Sequence, residues 1–251
     1  MQNHLISIVM PARNAQNTIE QSIQSVLQQT YSEFELLICN DGSTDSTKDI
    51  INSFKDTRIR MLNNVASLGA AAARNACLRE SMGRYVAFLD SDDIWAPSKL
   101  ETQLEFMLSN NVAFSYGSYN IFTERKITGT FTPPKKISFN HLCKKCDIGC
   151  LTVMIDISLT GKFEMPNICK EDYATWLSIM KNNIIGFKYP GIHASYRTGE
   201  SSLSSNKLHE IKRQFKVLRN VGKLSILRAT GCVFYYTING LYKHFIAYKR
   251  K

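Results

Sequence analysis

Three carboxylates fall within four residues at Asp90-Ser91-Asp92-Asp93, at the end of the apolar run Tyr85–Leu89. Carboxylates this close repel one another unless a cation neutralises them. Their hard oxygens suit Mg²⁺ or Mn²⁺, with diphosphate oxygens filling the remaining coordination positions. The competing interpretation is that the cluster caps the helix expected after Pro97 and is simply solvated. Two other apolar runs end in distinctive polar groups. Leu5–Pro11 leads into Pro11-Ala12-Arg13-Asn14, and Phe34–Cys39 leads into Asn40-Asp41-Gly42-Ser43-Thr44-Asp45. A fourth acidic feature, Glu171-Asp172, opens a segment with helical character.

The elements that must carry these groups alternate over the first ninety residues. Apolar, β-rich runs cover Leu5–Pro11, Phe34–Cys39, Arg58–Leu62 and Tyr85–Leu89. Between them, Thr18–Gln29 places Ile19, Ile23, Val26 and Leu27 at helical spacing, a polar helix ends near Phe54, and Gly69–Met82 is Ala-rich and helical. Such alternation implies βαβ units and a mostly parallel sheet with right-handed crossovers. Ligands bind such sheets beyond the carboxyl ends of the strands, which is where the polar groups fall. After Pro97 a helix is expected to about Leu108. Val112–Thr130 reads as two strands reversing near Asn120, Glu171–Lys181 as a helix and Ile184–Arg197 as extended. Lys135–Glu164 has mixed signals, and Thr198–Asn206 is a Gly/Ser-rich loop by composition.

The sequence resembles the family 2 glycosyltransferases, whose nucleotide-sugar-binding fold is called GT-A. The matching stretches are Ser7–Asn14, Asn40–Asp45, Leu68-Gly69-Ala70-Ala71-Ala72-Ala73-Arg74-Asn75, Phe88–Asp93 and Glu171-Asp172-Tyr173-Ala174-Thr175-Trp176-Leu177. They occur in the family's order and span about residues 5 to 205. Together with Tyr196-Arg197 and Ser202-Leu203-Ser204, they look most similar to bacterial enzymes that build cell-surface polysaccharides.

The resemblance implies an α/β GT-A domain over 1–205, with a nucleotide-binding half (1–97) and an acceptor-binding half (98–205). It implies that Asp41 accepts hydrogen bonds from a nucleobase, usually uracil, while Asp45 makes an ordinary Asx turn. Pro11, Ala12 and Arg13 would line base and ribose. Arg74 would lie near the nucleotide, unless it forms a surface ion pair with Glu80 or another acid. Asp92 would ligate Mn²⁺ or Mg²⁺, and Asp90, with Ser91 beside it, would touch ribose or reach the metal through water. Asp172 would be the base that deprotonates the acceptor hydroxyl, and Arg197 could contact diphosphate. Many relatives place a metal-binding histidine after the Tyr-Arg pair, but here Thr198-Gly199-Glu200 follows. His193 lies nearby on a β-like run. The Gln-x-x-Arg-Trp signature of processive synthases is absent, which implies one addition per encounter. The expected reaction is therefore an inverting hexosyl- or N-acetylhexosaminyl-type transfer from a nucleotide-diphosphate sugar, with UDP as the expected nucleotide, to a glycan or lipid-linked acceptor. The rival is a catalytically silent GT-A domain that only binds.

Composition narrows the classes further. No apolar run approaches the ~20 residues of a membrane span, and Met1–Ser7 has no secretory character. A cytoplasmic protein with reduced thiols is expected from its seven scattered cysteines. There is no Gly-x-Gly-x-x-Gly after the first strand and no Gly-Lys-Ser/Thr loop. His141, Cys143, Cys146 and Cys150 could bind zinc, but the second pair of ligands that structural zinc needs is missing apart from Cys169. The net charge is +10, and the segment 206–251 holds eleven of the 31 Lys and Arg but one of the 21 Asp and Glu. That leaves twenty of each in 1–205, a neutral body that argues against nucleic acid. Leu208, Ile211, Phe215 and Leu218 recur at helical spacing among Lys212, Arg213, Lys216 and Arg219, and later aromatics end in Lys249-Arg250-Lys251. This basic amphipathic tail is expected to hold the protein peripherally on the inner face of an anionic membrane. The alternative is packing on the catalytic domain or a dimer contact.

Overall fold

The computed structural model describes residues 4–124, 126–198 and 207–248, with side-chain surroundings for 210–237 in the C-terminal segment. The expected Gly/Ser loop, including Ser202-Leu203-Ser204, and the aromatic end of the tail lie outside the residues so described.

Strands and helices alternate first: β1 (Ile6–Ala12), α1 (Ile19–Leu27), β2 (Phe34–Asp41), α2 (Thr47–Ser53), β3 (Ile59–Asn64), α3 (Ala70–Glu80) and β4 (Tyr85–Phe88). The order then loosens into β5 (Ile94–Trp95), α4 (Lys99–Asn110), β6 (Phe114–Phe122), β7 (Ile127–Phe131), β8 (Lys136–Ile137) and α5 (Phe139–Lys144). A 3₁₀ turn at Cys150–Thr152, β9 (Met154–Asp156) and α6 (Ile157–Thr160) follow. The chain continues with α7 (Glu171–Met180), β10 (Gly186–Arg197), α8 (Lys207–Asn220) and α9 (Ile226–Tyr248).

All ten strands join one sheet, with the path β3-β2-β1-β4-β9-β6-β10-β5 and with β7 and β8 paired to β6 and β10. The first four in that path are mutually parallel. β9 runs antiparallel to both β4 and β6 and so joins the two halves. Every residue of β2 is buried, the mark of a strand covered on both faces. Alternate residues feed two cores. Val9, Leu37, Val86 and Phe88 enter one, and Ile8, Met10, Leu36, Ile38 and Ala87 enter the other. α1 covers the second with Ile19, Ile23 and Val26, each 0% exposed. Burying each contributes about 1.5–3 kcal/mol.

Two sequence expectations need adjusting. The reversal in Val112–Thr130 lies at Thr123–Lys126, where the Thr123 N–H bonds the Lys126 carbonyl, not near Asn120. β6 stays extended because β10 pairs with it as far as Phe122. The apolar stripe of α8 faces inward: Leu218 is fully buried, and Ile211 and Phe215 pack against the first core. That core also takes Leu224, Ala229, Cys232 and Val233, so α8 and the start of α9 are built into the same core as β1, β2, β4 and α7. The exposed apolar side chains of the segment are instead on α9, at Ile226, Leu227, Phe234 and Tyr235.

Candidate active site

The parallel register brings the carboxyl ends of β1, β2 and β4 to one edge, with Ala12 opposite Asn40 and Val9 opposite Phe88. The first two strand-end loops are laced together. The Thr44 N–H donates to Asn14 Oδ1 at 2.9 Å, the Ala15 N–H to Thr47 Oγ1 at 2.7 Å and the Gln16 N–H to Asp45 Oδ2 at 3.1 Å. Asp45 also accepts from the Thr47 N–H, the local turn expected of it.

Asp41 is nearly buried, and both its oxygens are occupied. Oδ1 accepts from Asn64 Nδ2 (2.7 Å) and the Leu68 N–H (2.9 Å). Oδ2 accepts from Ser67 Oγ (2.7 Å) and the Gly69 N–H (2.9 Å). Burial pushes this carboxyl up, but the four hydrogen bonds outweigh it and hold the group below its ordinary value. In this conformation Asp41 organises the loop between β3 and α3. Gly42 is needed for the close approach: at φ +63°, a Cβ there would lie 2.7 Å from the Ser67 backbone nitrogen and 2.8 Å from the Ala66 carbonyl carbon.

Around this edge lies a cavity of about 580 Å³, lined among others by Pro11, Ala12, Arg13, Asp41, Arg74, Asp90, Ser91, Asp92 and Arg197. All eight expected donor contacts and the expected metal ligand Asp92 therefore meet in one cavity. Sequence reasoning missed Asn14, Ala15, Asn17, Thr18, Gly69, Ala70 and Ala73 in the same wall. Several of these sit inside the quoted motifs, which was the available signal.

Arg74 does not lie on the surface and does not pair with Glu80. It is 5% exposed. Its Nη2 contacts Asp90 Oδ1 at 2.5 Å and its Nη1 contacts Glu171 Oε1 at 2.7 Å. One guanidinium thus ties the Asp-x-Asp loop to the start of α7, across 97 residues of sequence. Asp172 is half-buried next in line. Burial raises its carboxyl above the usual range, opposed by a hydrogen bond from the Tyr173 N–H and reinforced by Glu171. A raised carboxyl near a charged donor site suits a general base. Cys146 and Cys150, considered above only for zinc, are close enough to feel its charge, and burial pushes the Cys146 thiol up to about 12.

The Asp90–Asp93 loop is not a solvated cap. Asp93 is 1% exposed and accepts the Arg197 N–H at 2.9 Å. Burial and repulsion from Asp90 push its carboxyl up to about 8. Asp92 lines the cavity, raised by burial and by Asp90, and no ion pair neutralises it among the described residues. Its backbone carbonyl takes Arg197 Nε at 2.8 Å, while Arg197 Nη2 donates to Gln21 at 2.6 Å. Arg197 therefore clamps the loop from the end of β10.

No cluster of three or more His, Cys, Asp or Glu able to hold a metal occurs among the described residues. The donor set instead fits a cation shared with a ligand: Asp92 and Asp90 offer hard oxygens, and phosphate oxygens would complete the sphere. His193 points elsewhere, with Nδ1 3.2 Å from Ser98 Oγ and its ring stacked on Tyr189. His141, named above with the cysteines, has its Nε2 3.0 Å from Asp147 Oδ2.

Residues 7–149 match the family model described as glycosyl transferase family 2. The chain belongs to this family. It is 47% identical over 99% of its length, and 98% of the relative's, to the Escherichia coli UDP-Glc:alpha-D-GlcNAc-diphosphoundecaprenol beta-1,3-glucosyltransferase WfgD. It is 39% identical over 95% of its length, and 97% of the relative's, to the putative teichuronic acid biosynthesis glycosyltransferase TuaG of Bacillus subtilis. Among solved structures, the UDP complex of Staphylococcus aureus TarS superposes with a TM-score of 0.70 at 17% identity, over 96% of this chain and 71% of that one. The Pyrobaculum calidifontis mannosyltransferase PcManGT, with GDP-Man and Mn²⁺, gives 0.66 at 14% identity over 94% and 69%. At these identities the superpositions establish the GT-A fold. Membership of family 2 makes glycosyl transfer the reaction class, and the family resembled by the sequence is the one matched.

Proposed function

We propose that this glycosyltransferase moves a hexosyl or N-acetylhexosaminyl unit from a UDP-linked donor to a hydroxyl of a sugar carried on a lipid diphosphate, inverting the anomeric centre and adding one unit per encounter. The observation that carries the reading is the Arg74 bridge. It ties Asp90, at the edge of the cavity, to Glu171, the neighbour of Asp172, which supports reading the cavity as the leaving-group site and Asp172 as the base beside it. The relative WfgD, whose name specifies UDP-Glc and a GlcNAc-diphosphoundecaprenol acceptor, supports the choice of donor and acceptor.

In this reading Pro11, Ala12 and Arg13 hold base and ribose, Asp41 meets the base once a base N–H displaces one of its four loop hydrogen bonds, and Ser91 lies beside Asp90 at the ribose. Asp92 and Asp90 would hold Mn²⁺ or Mg²⁺, which would neutralise the diphosphate as it leaves. Arg197, which lines the same cavity, would add a positive charge at that diphosphate. Asp172 accepts the proton of the acceptor hydroxyl as its oxygen attacks the anomeric carbon opposite the diphosphate. The test is turnover of UDP-glucose by the purified protein with Mn²⁺ and a GlcNAc-diphospho-lipid analogue, with the product linkage read by NMR. A β-linked product from the α-linked donor is expected. An α-linked product would defeat single displacement, and an absence of transfer and of donor hydrolysis would favour the silent binding domain.

We further propose that α9 rests on the inner face of an anionic membrane. No helix among the described residues is long and apolar enough to cross one. Leu227 (88% exposed) and Phe234 (67% exposed) lie two turns apart on the same face, and Lys212, Arg213 and Lys216 are exposed on α8. Because both helices contribute to the core, the appropriate probe is substitution rather than truncation. Wild-type protein should float with anionic liposomes at low salt, and Leu227→Glu/Phe234→Glu should not. Equal flotation of the two proteins would remove α9 from the role.

A further inference from the structure

The residues on both sides of the Glu171-Asp172 pair are held from the C-terminal segment. Lys170, just before the pair, adopts φ +66° and ψ +45°, a left-handed conformation that a side chain disfavours. Its Nζ pairs with Glu210 Oε2 at 2.8 Å, donates to Gln214 Oε1 at 3.5 Å and lies 5.4 Å from the ring centroid of Tyr236. Just after the pair, the Tyr173 hydroxyl accepts from Gln214 Nε2 at 2.8 Å and donates to the Leu142 carbonyl at 2.9 Å. Gln214 is 1% exposed, so one buried amide of α8 bonds to residues immediately flanking the base and its neighbour.

The chemistry fixes the orientation of that amide. An ammonium can only donate, so the amide oxygen must face Lys170 and the NH₂ must face the hydroxyl. An apolar side chain would fill the same space between Val217 and Tyr173 without the desolvation cost of a buried amide. The amide adds direction, in that it pins the first turn of α7 at two points and thereby fixes the position of Asp172.

We infer that Gln214 is a positioning residue for Asp172, so that α8 completes the active site; this rests on the reading of Asp172 as the base. The test compares full-length wild type, Gln214→Leu, Tyr173→Phe and the double variant. Donor-binding sites are counted by UDP titration in Mn²⁺, and kcat per site, KM for UDP-glucose and the acid limb of kcat are measured. Gln214→Leu is expected to lower kcat per site ~10-fold, the scale of a small displacement of a reacting group. KM for the donor should stay within about twofold, and the double variant should be little worse than the poorer single variant. A merely structural role would reduce the number of UDP sites and leave kcat per site unchanged, and that result would overturn the inference. Should Gln214→Leu fail to fold, Glu210→Gln loosens the same anchor from its half-exposed end. A fall in kcat of about two- to threefold is expected there, the scale of an exposed pair, and no fall would overturn the role. A wild type that turns over no donor would overturn the transferase reading and this role together. An active wild type with unaffected variants would overturn the positioning role alone.

Discussion

The two sides of the cavity are built differently. The expected donor side rests on β1 to β4, where Ala12, Asp41 and Asp90 sit at or just beyond parallel strand ends, and Asp41 takes its partners from the end of β3 and the loop after it. The acceptor side depends on contacts that span the chain: Arg74 to Glu171 across 97 residues, Gln214 to Tyr173 across 41, and the Trp95 indole N–H to the Leu151 carbonyl across 56. In the proposed reaction, a regular scaffold would hold the diphosphate that departs, and irregular long-range packing would hold the base that activates the attacking hydroxyl.

This contrast can be broken most severely at the donor end. Asp92→Ala is expected to abolish transfer and metal-dependent UDP binding. The cation's stabilisation of the leaving group amounts to several kcal/mol, at about 1.4 kcal/mol per tenfold. Full turnover by that variant in Mn²⁺, assayed by UDP release, would refute the metal role. Asp172→Asn should lower kcat ~10²–10⁴-fold, since an amide cannot take the proton. UDP affinity, measured by calorimetry, should change only a few-fold. If donor affinity fell with kcat, the two walls would not be separable.

The same base predicts the pH profile. Activity needs Asp172 ionised, and burial raises its carboxyl, so kcat should fall on acidification at a pH above that of an ordinary aspartate, near 3.9. An acid limb at or below that value would place the base elsewhere. Gly42→Ala is expected to weaken UDP binding about tenfold, because the added methyl displaces the Ala66–Ser67 backbone that Asp41 anchors and forces a side chain to positive φ. Thermal shift with UDP would show it, and kcat at saturation should be nearly unchanged. The smallest effect is Asp45→Ala. It loosens the lacing of the first two loops at a cost of about 1 kcal/mol in stability, measurable by urea unfolding.

What the sequence revealed follows the same division. The expected strands at Leu5–Pro11, Phe34–Cys39, Arg58–Leu62 and Tyr85–Leu89 are observed at Ile6–Ala12, Phe34–Asp41, Ile59–Asn64 and Tyr85–Phe88. Parallel strands buried on both faces write themselves as continuous apolar runs, and their polar ends are conspicuous. Asp41, Asp90 and Asp92 stood out for that reason; Arg74, in α3, and Arg197, at the end of the partly exposed β10, were singled out only through the family resemblance, and the partners of Arg74 were not legible. Lys135–Glu164 was not readable because its short elements are stabilised by distant groups. Gln103, for instance, donates to the Thr152 carbonyl at 2.9 Å. Gln214 left no mark at all, since a glutamine in mid-helix has no local signature. The stripe on α8 showed its amphipathic character but not its partner, which is the core rather than an outer surface.

The first half of α9 is two-faced. Cys232 and Val233 are buried in the core, while Phe234 and Tyr235 face outward. At about 100° per residue, rolling this helix by a single position would drag Phe234 into the core and expel Cys232. The helix is keyed like a shaft in a slot. Any flat surface met by Leu227 and Phe234 is therefore met at one attitude, and the mouth of the cavity stands at a fixed height and tilt above it. Were that surface the membrane proposed above, the sugar within reach would be selected by how far it stands from that plane, and the helix would be a ruler as well as a foot.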